Sequence, residues 1–255
     1  MLKKVIEKKE LPYLFKLNNK NQSLYYFGTE HSTDPKHHQF EVLRDFLGDF
    51  LKNTSENRIV FIEGNQIPIK ALLDNEGDNI RKLGERGFIL DLALKNNIRY
   101  VYAELSFQEE ADLLNKEFSK ENIVYFYIVR LMCGLLRKNQ KLNFDLTLEK
   151  SLNDWVQFLN WDKKLFTKNG INKTHQKLFG QEFSVQSVEL IKKVCIPINQ
   201  DFSIINKIAK MSSEIRDNAV LKKIKEDWKK GKSIFIIYGY NHSTQQEPFL
   251  RDMCK

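Results

Sequence analysis

Apolar and polar positions along this chain follow two different repeats. Tyr13–Leu17 and Leu24–Phe27 are apolar-rich runs on either side of the polar Asn18-Asn19-Lys20-Asn21-Gln22, the pattern of a β-hairpin. Beyond them the period lengthens. Phe40, Leu43, Phe46, Leu47, Phe50 and Leu51 share one helical face. Asp34 as N-cap and Pro35 at the first helical position predict where that helix opens. Ile59–Ile62 is a short strand, helix is predicted over about 70–95 with a break around 75–79, and Tyr100–Ala103 is the next strand. Ser106 and Glu109 form a capping-box pattern for the helix that follows. A long helix is predicted over about 202–230, then a strand at Ile234–Tyr238. Thr244 and Glu247 repeat the capping-box spacing before a final short helix.

Strands alternating with helices predict an α/β fold: a mostly parallel or mixed central sheet flanked by helices. No linker rich in Gly, Pro or Ser divides the chain, so residues 1–255 read as a single α/β domain. The segment 108–200, helical and aromatic-rich with Trp155 and Trp161, reads as an insertion or lid within it. Its most apolar part, Ile123–Leu136 interrupted by Arg130, falls short of the ~20 residues of a membrane span and predicts a buried helix.

Composition narrows the class. With 255 residues, 42% hydrophobic and 29% charged, the chain has enough apolar side chain for a core and is not a low-complexity or disordered sequence. The first residues, Met1 to Glu10, are charged and contain no apolar signal core, so a cytoplasmic protein is expected. The three cysteines, Cys133, Cys195 and Cys254, are far apart and form no CxxC pair. They suit a reducing compartment and read as small buried hydrophobes. A formal charge of +8 permits nucleic-acid or other acidic partners, but only nine of the 41 basic residues are Arg, the type best suited to phosphate and base contacts. The densest cluster, Lys222 to Lys232, has the spacing of a solvated helix face. Nucleic acid is therefore not the expected partner; a small-molecule or peptide substrate is.

The candidate chemistry sits where strands end. Gly28-Thr29-Glu30-His31-Ser32-Thr33 matches Gly239-Tyr240-Asn241-His242-Ser243-Thr244 in Gly, His, Ser and Thr at fixed spacing, and each copy follows an apolar strand and precedes a predicted capped helix. A glycine there allows a sharp turn or close approach of a ligand. An imidazole three residues on can face the carboxyl edge of the sheet, where open α/β sheets bind ligands. The following helix start suits an anion or oxyanion. Gly28, Thr29, Glu30 and Gly239 are thus expected to line the substrate. The strand at Ile59–Ile62 ends in Glu63 and the one at Tyr100–Ala103 ends in Glu104. With parallel strands His31, Glu63, Glu104 and His242 gather on one edge. There they can hold a divalent metal, with His31, His242 and Glu63 as ligands, or act as general base and acid without one. Arg216, flanked along its helix by Ser212, Ser213, Ala219 and Val220, is the candidate to orient a carboxylate or stabilise an oxyanion.

Other motifs carry less. Gly231-Lys232-Ser233 imitates the tail of a P-loop but precedes a strand, and position 226 is Glu where the loop needs Gly. His37 and His38 fall in the first turns of a predicted helix and are expected to be exposed. His175 lies in a polar stretch with no evident partner. Ser32 and Ser243 read as turn or capping residues.

In order and rough spacing these residues resemble the superfamily of TraB, Tiki, ChaN and erythromycin-esterase-like proteins over about 13–250. The pattern comprises Gly28-Thr29-Glu30-His31, Glu63-Gly64, Gly84-Glu85, Glu104, Arg216-Asp217 and Gly239-Tyr240-Asn241-His242. The resemblance implies an α/β fold with a site between the two GxxH strand ends, and a hydrolase of an ester, lactone or amide bond, metal-assisted in Tiki-like members. ChaN-like members bind haem, so it also implies an alternative: a haem or small-anion binding protein without turnover. The chain departs from the esterase pattern at Gly28-Thr29, where that pattern has Gly-Glu.

Overall fold

The computed structural model describes residues 10–19, 21–138, 143–196 and 202–255. The charged stretch before Glu10, Lys20 of the hairpin turn, and positions 139–142 and 197–201 of the predicted helical regions lie outside these. The chain divides into two compact units, Met1–Glu104 with Asp217–Lys255, and Leu105–Arg216.

The first unit is built on one sheet. Its strands are β1 (Tyr13–Asn18), β2 (Ser23–Thr29), β3 (Arg58–Ile62), β4 (Arg99–Val101) and β5 (Ser233–Gly239), in the order β1-β2-β5-β3-β4. β1 pairs antiparallel with β2 across the hairpin, and β2, β5, β3 and β4 are mutually parallel neighbours. The inner parallel strands β2, β5 and β3 are buried along almost their whole length because both faces are covered, whereas the edge strand β4 is part-exposed. On one face Phe27, Val60, Ile62, Phe235 and Ile237 pack against Phe40, Leu43, Phe46, Leu47 and Phe50 of helix α1 (Gln39–Asn53) and against helix α2 (Glu76–Lys95). On the other, Tyr26, Phe61 and Ile236 pack against Val220, Ile224 and Trp228 of helix α8 (Ile204–Lys229), and against Leu250 of helix α9 (Tyr240–Met253). Along α8 the apolar side is buried while Lys222, Lys225 and Lys229 are exposed, so the densest basic cluster is a solvated face. The pseudo-P-loop caps this helix: Gly231 has φ +73, and Lys232 pairs with the buried Asp227 at 2.7 Å.

The second unit contains α3 (Phe107–Leu114), α4 (Lys120–Lys138), α5 (Phe144–Phe158), α6 (Lys168–Phe179), α7 (Val188–Val194) and the first part of α8. It has a core of its own, in which Ile123–Val129, Met132 and Cys133 of α4 are buried among Trp155, Ile171, Ile191 and Ile208. The capping box of Ser106 and Glu109 forms as expected, and it holds the Glu109 carboxyl below its ordinary range. No helix among the described residues is long and apolar enough to cross a membrane.

Four local expectations need correction. Asp34 and Pro35 open a turn, with the His37 N–H donating to the Asp34 carbonyl at 3.0 Å, and α1 begins only at Gln39. The break in the second helix is not at 75–79, since Asn75 caps its start; it lies at Gly84, with φ +62 and ψ −148. Thr244 and Glu247 cap nothing, because α9 starts directly after β5 at Tyr240. His175 is fully buried in the helical unit, where its Nδ1 meets the Tyr125 hydroxyl at 2.7 Å and its Nε2 meets the Ser187 hydroxyl at 3.3 Å. Burial lowers its pKa.

Candidate active site

The carboxyl ends of four adjacent parallel strands bring together His31 after β2, His242 after β5, Glu63 after β3 and Glu104 after β4. The two histidines arrive by different routes. His31 sits on a loop with φ 55, a left-handed conformation that His tolerates better than most residues. His242 lies in the first turn of α9.

The glycines of the two motifs serve each other. A Cβ on Gly239 would stand 2.3 Å from His31 Nε2 and 3.4 Å from Glu63 Oε2, so its bare Cα makes room for the first imidazole. A Cβ on Gly28 would stand 2.8 Å from Ser243 Oγ and 3.1 Å from the Tyr13 carbonyl. Gly28 is therefore required for packing of β2 beside β1 and α9, where substrate contact was expected.

Each imidazole is held by a carboxylate. His31 Nδ1 is 2.6 Å from Oε1 of the buried Glu85, and Thr29 Oγ1 lies 3.4 Å from both. Gly84 explains how Glu85 gets there. Its left-handed kink breaks α2 directly before Glu85, and its missing side chain lets the Ser32 carbonyl approach to 3.1 Å of where a Cβ would be. His242 Nδ1 is 2.7 Å from Asp217 Oδ1, which also accepts from Gln246 Nε2 at 2.6 Å. Gln246 Oε1 in turn accepts from the Tyr26 hydroxyl at 2.9 Å. Burial, reinforced by the charges of Tyr238, Glu63 and Asp217, pushes the Tyr26 phenol well above its ordinary value. It stays protonated and donates.

A carboxylate only accepts, so in both pairs Nδ1 carries a proton and donates it to the carboxylate. Glu63 holds the second motif at two points: its Oε2 accepts the Gly239 N–H at 2.6 Å and its Oε1 lies 3.7 Å from His242 Nε2. Glu104 accepts the Gly64 N–H at 2.8 Å and so braces the turn after β3, where Gly64 has φ +81. The Arg86 guanidinium packs on that turn, 3.0 Å from where a Gly64 Cβ would sit, and donates to the Asn65 carbonyl.

Of the expected site residues, His31, Glu63, Glu104, His242 and Gly239 thus meet at one sheet edge. Thr29 touches the His31–Glu85 pair, and Glu30 turns toward His37 and His38. Arg216 belongs to the helical unit, and the α8 residue that reaches His242 is the next one, Asp217. Glu85 and Asp217 stood in the resemblance pattern without a role of their own, and Gln246, Tyr26 and Arg86 were missed as members of the site. A glycine inside an amphipathic helix was the one local signal, marking Gly84-Glu85.

His31, Glu63 and His242 are not among the trios of described residues whose ligand atoms all lie within 4.8 Å of one another, whereas Glu30, His37 and His38 are such a trio. Donors about one ion with bonds of ~2.0–2.2 Å cannot be farther apart than ~4.4 Å. The expected metal set therefore does not surround one ion as the side chains stand. Comparison of the chain with protein-family models, with curated proteins and with solved structures finds no match in any of the three.

Proposed function

We propose that this chain is a hydrolase that transfers an acyl group from an ester, lactone or amide to water. The observation that carries this reading is the pair of imidazoles at one sheet edge, each held by a carboxylate at Nδ1. A carboxylate that fixes tautomer and ring orientation is what a general base requires.

His31 is the general base. Its side chain is 59% exposed, so substrate and water reach it, and its Nε2 lies over Gly239 beside Glu63. Nε2 takes a proton as water oxygen bonds to the carbonyl carbon. The tetrahedral oxyanion collapses with loss of the alkoxide or amine, which takes a proton from the imidazolium of His31. The first N–H groups of α9 lack intrahelical partners and favour the developing negative charge. Arg86 adds a cation at the Glu63–Gly64 turn. Glu63 and Asp217 hold His242, and Glu104 fixes the turn that carries Glu63.

The test is a panel of p-nitrophenyl esters, lactones and short peptides with purified protein, compared with the His31→Ala and His242→Ala variants. Turnover should fall by ~10²–10⁴ in each, the span of a general base. Full activity in the double variant overturns the assignment. No turnover, together with a Soret band on haem titration that these variants lose, would establish the binding alternative instead.

A further inference from the structure

The geometry points to a divalent cation site formed by Glu30, His37 and His38, selective for ions that accept imidazole nitrogen, such as Zn²⁺. Their ligand atoms all lie within 4.8 Å of one another, with Glu30 Oε2 3.8 Å from His37 Nε2 and Glu30 Oε1 3.8 Å from His38 Nε2. These separations exceed a hydrogen bond and close by about half an ångström around one ion with bonds of ~2.0–2.2 Å. Glu30 Oε1 is shielded from solvent and accepts no hydrogen bond, a costly state for a carboxylate oxygen that a bound cation relieves.

The trio is also built rather than merely adjacent. Gln39, the first residue of α1 and fully buried, accepts the Glu30 backbone N–H on its side-chain oxygen at 3.1 Å. That bond ties the loop after β2 to the start of α1. The turn at Asp34–His37 then sets the two imidazoles side by side, with ring centroids 4.8 Å apart and the planes tilted by 30°. His37 Nδ1 accepts the Gln39 N–H at 3.3 Å, a long bond that is lost when the ring proton moves from Nε2 to Nδ1 and leaves the Nε2 lone pair for the metal. Two nitrogens and one carboxylate oxygen suit Zn²⁺, Co²⁺ or Ni²⁺ over Mg²⁺ or Ca²⁺, with water filling the remaining positions. None of the three side chains is a base or acid in the proposed hydrolysis, so this site stands or falls separately.

The experiment is calorimetric titration of the chelator-stripped full chain with ZnCl₂, with Co²⁺ electronic spectra in parallel. It compares wild type, His37→Gln/His38→Gln, Glu30→Gln and His31→Gln/His242→Gln. The His37/His38 variant should bind one equivalent fewer than wild type, and Glu30→Gln should weaken that equivalent at least about tenfold. The His31/His242 variant should retain it. Thermal melts of the zinc-free proteins check folding, and zinc should raise the wild-type Tm but not that of the His37/His38 variant. No zinc bound by wild type, an unchanged isotherm in the His37/His38 variant, or loss only in the His31/His242 variant overturns the proposal.

Discussion

Gly239→Ala tests the candidate site with the least chemistry. The backbone at Gly239 has φ −56 and ψ 148, a conformation open to any residue, and alanine keeps the N–H that Glu63 accepts. The change is one methyl group. It would stand 2.3 Å from His31 Nε2, where ordinary contact begins at 3.4 Å, so the ring must move by 3.4 − 2.3 = 1.1 Å. The His31 side chain is 59% exposed and yields toward water, stretching its 2.6 Å bond to Glu85. Overpacking in a closed core costs ~1–3 kcal/mol, and an exposed ring should keep the cost near 1 kcal/mol. For a chain of this size that is a Tm drop of ~2–4 °C. Catalysis should suffer far more, because a displacement of ~1 Å at a reacting group costs ~10²-fold. The assay is kcat/KM on a substrate from the ester and lactone panel, run as a double-mutant cycle with His31→Ala. The combined variant should be no worse than His31→Ala alone. Wild-type kcat/KM in Gly239→Ala, or full additivity, would refute the placement of His31 over Gly239.

Three further outcomes follow from the same geometry. Asp217→Asn removes the charged acceptor of His242 Nδ1 and should lower kcat by ~10²–10⁴ with a smaller change in KM, measured on the same substrate. His175 titrates below its unfolded value because burial disfavours the charged ring, so the unfolded chain binds the extra proton first. Its contribution to stability is present above pH ~6.5 and is lost as the pH falls below it; urea midpoints at pH 7.5 and 5.5 should differ less in His175→Gln than in wild type. Burial pushes the Cys254 thiol up to about 11, so in native protein at pH 8 it should resist a disulfide reagent that labels it fully in urea.

The α/β sheet and the four strand ends were legible because each rests on a short-range pattern. An apolar run followed by Gly or Glu identifies the end of a buried strand, and parallel strands must put those ends on one edge. The mixed sheet, the hairpin and the α1 core face therefore follow from periodicity. The helix starts misread at Pro35 and Thr244 have another cause. Capping signals mark where a chain can begin a helix, and tertiary contacts decide where it does. The turn closed by the His37 N–H on the Asp34 carbonyl occupies these residues, so α1 waits until Gln39. The tight junction of β5 with α9 starts that helix at Tyr240, upstream of the Thr244 signal. The pairing of Glu85 and Asp217 with the imidazoles was illegible for a simpler reason: Glu85 is 54 residues from His31 and Asp217 is 25 from His242, and each reaches its partner only through a packed helix.

The repeated Gly-x-x-His-Ser-Thr also has a different origin from the one its regularity suggests. Two copies of one strand–turn–helix joint would place their glycines at equivalent positions, but in the β2–β5 pairing Gly28 is opposite Tyr238 and Gly239 is opposite Thr29. The copies are offset by one residue, one continuing into a left-handed loop and the other directly into a helix. What they share is the space between them. The glycine of the first leaves room for the serine of the second, and the glycine of the second leaves room for the histidine of the first. Adjacent parallel strands lie only ~4.8 Å apart. Neighbouring strand ends therefore pack closely here only because each gives up a side chain where the other crosses it. The likeness of the two motifs thus reflects their packing against each other, and a side chain added at either glycine should be felt first by a residue of the other motif.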